Sequence, residues 1–263
     1  MSTLHLDHVS LVYDQRGQAG HLVLDGISRE LGPDDFVTIV GRSGSGKTSL
    51  LNIAAGFVAP TRGRVSLDGQ PVKGPGADRA VVFQDDALFP WLSARENVAF
   101  ALKLQGISKA ERAARADGLL EAVGLARAGN KAIWQLSGGM RQRVGIARAL
   151  AADPRFLLMD EPLGALDAMT RERMQELLLD VWRKSGAGVL LITHGIEEAL
   201  FLGSRVVVLS ANPGRVVADL SFDFGRRFLA GEAARSVKSD PQFIAAREHL
   251  RDLIDEEQQD IAA

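Results

Sequence analysis

Several short polar stretches in this chain each close an apolar run, and their residue types suit phosphate chemistry. Gly41-Arg42-Ser43-Gly44-Ser45-Gly46-Lys47-Thr48, followed by Ser49, reads G-x-x-x-x-G-K-[ST]. Glycines let backbone N–H groups turn toward an anion without a Cβ clash. A helix opening at Lys47 would add its own unpaired N–H groups and the positive end of its dipole. Lys47 would then reach the β- and γ-phosphates of a nucleotide, and Thr48 would hold Mg²⁺. Asp160-Glu161 closes the run Phe156-Leu157-Leu158-Met159. A carboxylate leaving a parallel strand faces the ligand edge of the sheet. Asp160 suits the metal shell and Glu161 suits a base that orients water, although an acidic turn alone would look the same. His194 closes Val189-Leu190-Leu191-Ile192-Thr193. It could touch a γ-phosphate or serve structure alone. Gln84 closes Ala80-Val81-Val82-Phe83, where an amide reaches a metal-bound water or caps a turn.

Two further features are weak in isolation. Leu136-Ser137-Gly138-Gly139-Met140 opens a helix from Arg141 to Ala151, a second helix end able to meet an anion. Tyr13, the single tyrosine, ends an N-terminal strand. Its ring could stack on a base, but a strand-end tyrosine with a wet hydroxyl is the commoner case.

The elements that would hold these residues follow from pattern. Strands are expected at Leu4–Tyr13, Leu22–Ile27, Phe36–Val40, Val65–Gly69, Ala80–Phe83, Phe156–Met159, Val189–Thr193, Arg205–Ser210 and Val216–Leu220. A polar turn joins the first two, from Asp14 to Gly20. Helices are expected from Lys47 to Ala55, from Ser93 with Glu96 as a capping box to Gly106, from Ser108 with Glu111 to Val123, and from Ala168 to Lys184. Residues 87–152 thus read as a helical lobe inserted into an α/β body. Within it, Leu88-Phe89-Pro90-Trp91 is an apolar loop, either the lobe's own core or a docking patch. From Asp223 the chain turns charged, with helical spacing after Pro241, and reads as a peripheral extension.

Bulk properties narrow the classes. The 263 residues are 46% hydrophobic, enough for one large domain with a lobe. A formal net charge of −2 gives no electrostatic footprint for nucleic acid. Without cysteine there is no disulfide and no thiolate zinc site. Met1 to Asp7 has neither the basic start nor the apolar core of a signal peptide, and no apolar run reaches the length of a membrane span.

Taken in order, Gly41–Thr48, Gln84, Leu136–Met140, Asp160-Glu161, Gly164–Asp167 and His194 resemble the ATP-binding subunits of ABC transporters, from about Leu4 to Leu220. The resemblance implies an α/β fold: a P-loop NTPase (RecA-like) core with a mostly parallel sheet, an N-terminal antiparallel β part and an inserted helical subdomain. It implies one ATP-binding domain over 1–223 and a C-terminal helical extension over 224–263. Tyr13 becomes the adenine-stacking aromatic, Ser137, Gly138 and Gly139 the signature loop, and His194 the switch histidine. Thr48, Gln84 and Asp160 become the Mg²⁺ set. Glu161, His194 and Lys47 become the catalytic set. Met140 and Gly195 depart from the family pattern, which commonly has glutamine and aspartate there.

Gly74-Pro75-Gly76-Ala77-Asp78-Arg79 and Leu88–Trp91 look like the nitrate/sulfonate/taurine importer group. Arg226–Glu232 and Ser239–Phe243 look like its taurine branch. This implies a homodimer of ATP-binding subunits pairing head to tail on transmembrane permease subunits at the cytoplasmic face of a bacterial inner membrane. A periplasmic solute-binding protein would be an indirect partner, and no nucleic acid is expected. An alkanesulfonate or nitrate importer is the alternative within transport. A nucleic-acid-directed ABC ATPase or a P-loop kinase are rivals from other classes. The first should carry a long coiled-coil insertion or a second P-loop, and neither is here.

Overall fold

The computed structural model describes residues 2–13, 20–85 and 87–262, with side chains through Glu256. Its centre is a six-stranded sheet built of β3 (Phe36–Gly41), β6 (Arg79–Val82), β7 (Phe156–Asp160), β8 (Gly188–Ile192), β9 (Arg205–Leu209) and β10 (Val216–Ser221). The strand order is β10-β9-β3-β8-β7-β6, parallel except at the β10–β9 edge. A four-stranded antiparallel sheet, β2-β1-β4-β5, comes from β1 (Leu4–Tyr13), β2 (His21–Leu31), β4 (Arg62–Leu67) and β5 (Gln70–Pro71). The turn expected over Asp14–Gly20 lies, but for Gly20, outside the described residues.

The central strands read as unbroken apolar runs because both their faces are covered. Val40, Leu157, Met159, Val189, Leu191, Val206 and Val208 face one core. Their strand neighbours Val37, Ile39, Phe156, Leu158, Leu190, Ile192, Val207 and Leu209 face the other. The second core is closed by α1 (Lys47–Ala55) and the antiparallel sheet. The first is closed by α5 (Ala168–Ser185), α6 (Ile196–Leu202) and the helical lobe.

The lobe holds α2 (Ala94–Leu104), α3 (Lys109–Ala122) and α4 (Gly138–Ala151). Ser93 and Glu96 make the reciprocal capping box, and Ser108 accepts the Glu111 N–H. Helix α4 starts three residues before the expected Arg141, because Ser137 caps it by accepting the Met140 N–H.

The C-terminal stretch forms α7 (Phe224–Leu229), α8 (Ala234–Ser239) and α9 (Pro241–Ala262). It is not peripheral in packing. Phe224, Val237, Phe243 and Leu250 are buried in the same core as Phe201 and Leu202. Charge on the outer faces hid this: the four buried apolar residues are spread over 27 positions, Phe224 to Leu250, and leave a weak pattern.

Candidate active site

The sheet order sets the site. Strands β3, β8, β7 and β6 are neighbours, so the residues leaving their carboxyl ends meet although they are far apart in sequence. Ile39 pairs with Ile192, Ile192 with Asp160, and Val82 with Met159. Gly41 and His194 each stand two residues beyond the paired Ile39 and Ile192. Glu161 and Gln84 leave the next two strands at nearly the same level.

The loop from Gly41 to Lys47 is shaped by its own bonds. Lys47 Nζ donates to Gly41 O at 2.8 Å, Arg42 O at 2.7 Å and Ser45 Oγ at 3.3 Å, with Lys47 buried. Burial pushes the Lys47 ammonium below its usual range, while the carboxylates of Glu161 and Asp160 pull it back. Gly46 has φ +80°, and a Cβ there would stand 2.7 Å from Leu24 Cδ2. Only glycine fits this entry to α1. Gly46 offers no side-chain cap, and the first turn of α1 carries no acidic residue. The helix start is left as a bare donor end for an anion.

Opposite the loop, Glu161 Oε1 lies 2.7 Å from His194 Nε2. Glu161 has φ +47°, an uncommon backbone for a residue with a side chain. It is tied down by its N–H to Ile192 O at 2.9 Å and its carbonyl to Gly164 N at 3.2 Å. Asp160 is 5% exposed. Its carboxylate takes a bond from the Thr48 hydroxyl, and burial raises its pKa above the ordinary carboxyl value. Oδ1 of Asp160 is buried without a hydrogen-bond partner. A carboxylate beside a hydroxyl, with one oxygen unsatisfied, fits a small hard cation.

A cavity of about 480 Å³ is lined by Ser43, Gly44, Gly46, Lys47, Thr48, Ser49, Gln84, Glu161 and His194, with His21 and Val23 from β2. Ser137, Gly138 and Gly139 do not line it; they sit at the exposed start of α4. Gly139 seats that helix on the Gly164–Asp167 loop, where a Cβ would stand 3.0 Å from Leu166 Cδ2. Tyr13 is 45% exposed, its hydroxyl 3.4 Å from Ser49 Oγ, and its ring forms no wall of the cavity.

Sequence reasoning missed His21 and Val23, because the approach of β2 to the loop has no local signature. It also missed Gln142, which is 4% exposed and joins two functional loops. Gln142 Nε2 donates to Glu161 O at 3.4 Å, and Oε1 accepts from Ala165 N at 3.3 Å. The available signal was an amide on the apolar face of α4, four positions before Ile146 and seven before Ala149.

The apolar loop divides. Leu88 is 8% exposed and belongs to the core, so it forms no part of a patch. Trp91 is 74% exposed, its ring 5.5 Å from that of half-buried Phe89. Buried Asn97 holds the loop in place, accepting Phe89 N–H at 2.8 Å and donating to the Phe89 and Ser93 carbonyls.

This arrangement of phosphate loop, strand-end carboxylates and strand-end histidine on a parallel sheet is that of a P-loop ATPase cassette. Residues 24–164 match the ABC transporter family model, and the chain belongs to that family. The relatives are more particular. The chain is 62% identical to the taurine import ATP-binding protein TauB of Mesorhizobium japonicum, over 97% of this chain and 98% of that protein. It is 60% identical to the protein of the same name from Sinorhizobium fredii, over 97% and 96%. Among solved structures, the dimeric post-hydrolysis state of the ATP-binding cassette MJ0796, bound to ADP and phosphate, superposes with a TM-score of 0.77. It is 34% identical, covering 83% of this chain and 98% of that one.

Proposed function

We propose that this chain is the ATP-hydrolysing subunit of a taurine importer. The observation that carries the ATPase reading is the gathering of Lys47, Thr48, Gln84, Glu161 and His194 on one cavity. The solute rests on the relatives, which are named for taurine import and match over nearly the whole chain. No helix among the described residues is long and apolar enough to cross a membrane. The relatives' naming as import ATP-binding proteins supports reading the chain as peripheral, held at the cytoplasmic face of the inner membrane by permease subunits. A periplasmic solute-binding protein would deliver the solute from the other side.

In this reading the bare start of α1 and the loop's N–H groups hold the phosphates. Lys47 neutralises charge on the β- and γ-phosphates. Asp160, Thr48 and Gln84 would hold Mg²⁺, which would neutralise phosphate charge when bound. Glu161 accepts a hydrogen bond from the attacking water, and His194 steadies both Glu161 and the γ-phosphate. Tyr13 stacks on adenine. Ser137, Gly138 and Gly139 serve a second copy of the chain, because they stand off their own cavity. Head-to-tail pairing puts them over the partner's γ-phosphate, as a homodimer with two composite sites.

Growth tests the solute. A strain lacking this chain should fail on taurine as sole sulfur source and still grow on alkanesulfonates or sulfate. Unimpaired growth on taurine, with failure on another sulfonate or on nitrate as nitrogen source, would move the assignment to that solute.

A further inference from the structure

The C-terminal helices reach the catalytic loop through a run of buried polar side chains. Lys238, in α8, donates from Nζ to Gln175 Oε1 at 3.0 Å, with the ammonium 4.6 Å from the Phe201 ring centroid. Gln175, in α5, donates from Nε2 to Glu198 Oε2 at 3.1 Å. The Thr193 hydroxyl donates to the Glu198 carboxylate and accepts the Gly195 N–H at 3.0 Å. Gln175, Thr193 and Glu198 are 4%, 5% and 7% exposed. His194 is the residue between Thr193 and Gly195, so the Thr193–Gly195 bond closes the turn that carries the imidazole. A cleft of about 600 Å³ is lined by members of this path, Gln175, Thr193, Glu198 and Lys238, together with Glu161 and His194.

A carboxylate as deep as Glu198 is costly unless it is bonded and charge-compensated. Burial raises its pKa, while the bonds from Thr193 and Gln175 and the charges of Arg171 and Lys238 act against that rise. Arg171 spends its guanidinium on the carbonyls of Leu163 and Leu166. Lys238 is the cation linked to the carboxylate through an amide.

We propose that Lys238 is a positioning residue: through Gln175, Glu198 and Thr193 it fixes the turn that aims His194 at Glu161, so the C-terminal extension sets the rate of ATP hydrolysis. The inference rests on the hydrolytic reading above. Lys238 touches neither nucleotide nor Glu161, and its effect runs through His194 alone.

The test uses the full chain and steady-state ATP turnover. Lys238→Met keeps the aliphatic stem on Phe201 and removes the charge. It should lower kcat about tenfold and leave KM for ATP within about twofold, and Lys238→Arg should restore most of the rate. In a His194→Ala background, Lys238→Met should cost less than about twofold more, since both act through one residue. If Lys238→Met alone does not fold, Glu198→Gln with Lys238→Met removes both charges together. That pair should turn over ATP within about threefold of Glu198→Gln alone. Unchanged kcat in Lys238→Met, a full independent loss in the His194→Ala background, or a pair much slower than Glu198→Gln overturns the inference. A wild-type chain without ATP turnover overturns the functional reading and this inference together.

Discussion

Asp160 sets stability against chemistry at a single carboxyl group. Burial raises its folded pKa, and one oxygen has no partner. A folded pKa above the unfolded one means stability is fully present at low pH and is lost as pH rises through the folded value. At about pH 7, above the unfolded carboxyl's value, the group therefore contributes less stability than at low pH. Asp160→Asn should melt above wild type there, with the difference closing as pH falls toward the unfolded carboxyl's 3.8. ATP turnover should drop at least about 10²-fold, the scale of a lost electrostatic contact to the transferring phosphate. A variant melting below wild type at neutral pH would contradict this account of the site. Met140 is a second residue-scale case. Its N–H caps onto Ser137 and its thioether is half-buried against the core, so the side chain has a packing role. Met140→Gln should change ATP turnover less than about tenfold, under 1.4 kcal/mol of barrier. Ser137→Arg should abolish turnover, because it puts a long cation where the partner's phosphate would sit. A large gain from Met140→Gln would mean that the thioether weakens the enzyme.

At the scale of elements, what was legible follows from how local each requirement is. The loop from Gly41 to Thr48 states its own geometry, since its glycines, lysine and helix start are contiguous. The strands around Ile39, Leu158 and Leu191 were legible as apolar runs, because burial on both faces removes alternation. Gln142 was not, for its partners Glu161 and Ala165 lie 19 and 23 positions away on loops it meets only in the fold. Nor did sequence separate Leu88 from Trp91, three residues apart in a loop without a period. Their separation decides the role of the loop. Trp91 at 74% exposure cannot fill the lobe's core, so Trp91→Ala should leave the melting temperature of the free chain nearly unchanged. It should weaken assembly with the permease subunits by about 2 kcal/mol or more, the size of an aromatic anchor at an interface. Pull-down of the assembled complex with a parallel melt checks both. A collapsed melt, or full assembly, removes Trp91 from the interface.

For the whole molecule, the proposed pairing has the two halves of the site facing different partners. Lys47, Glu161 and His194 share one cavity, while Ser137 and its glycines stand at the start of α4, outside it. Gln142 ties that helix to Glu161's own carbonyl. In the proposed pair, the helix that closes one nucleotide is thus bonded to the loop that hydrolyses the other. In that pair, a single chain would hold Lys47, Glu161 and His194 and still lack a complete site. The most direct test is ATP turnover per chain as the protein is diluted, with wild type and Glu161→Gln side by side. The account predicts that wild-type turnover per chain falls on dilution as pairs separate. It also predicts that Glu161→Gln loses at least about 10²-fold in rate while ATP-bound pairs accumulate. Turnover per chain that is independent of dilution and equal in Glu161→Gln would contradict it.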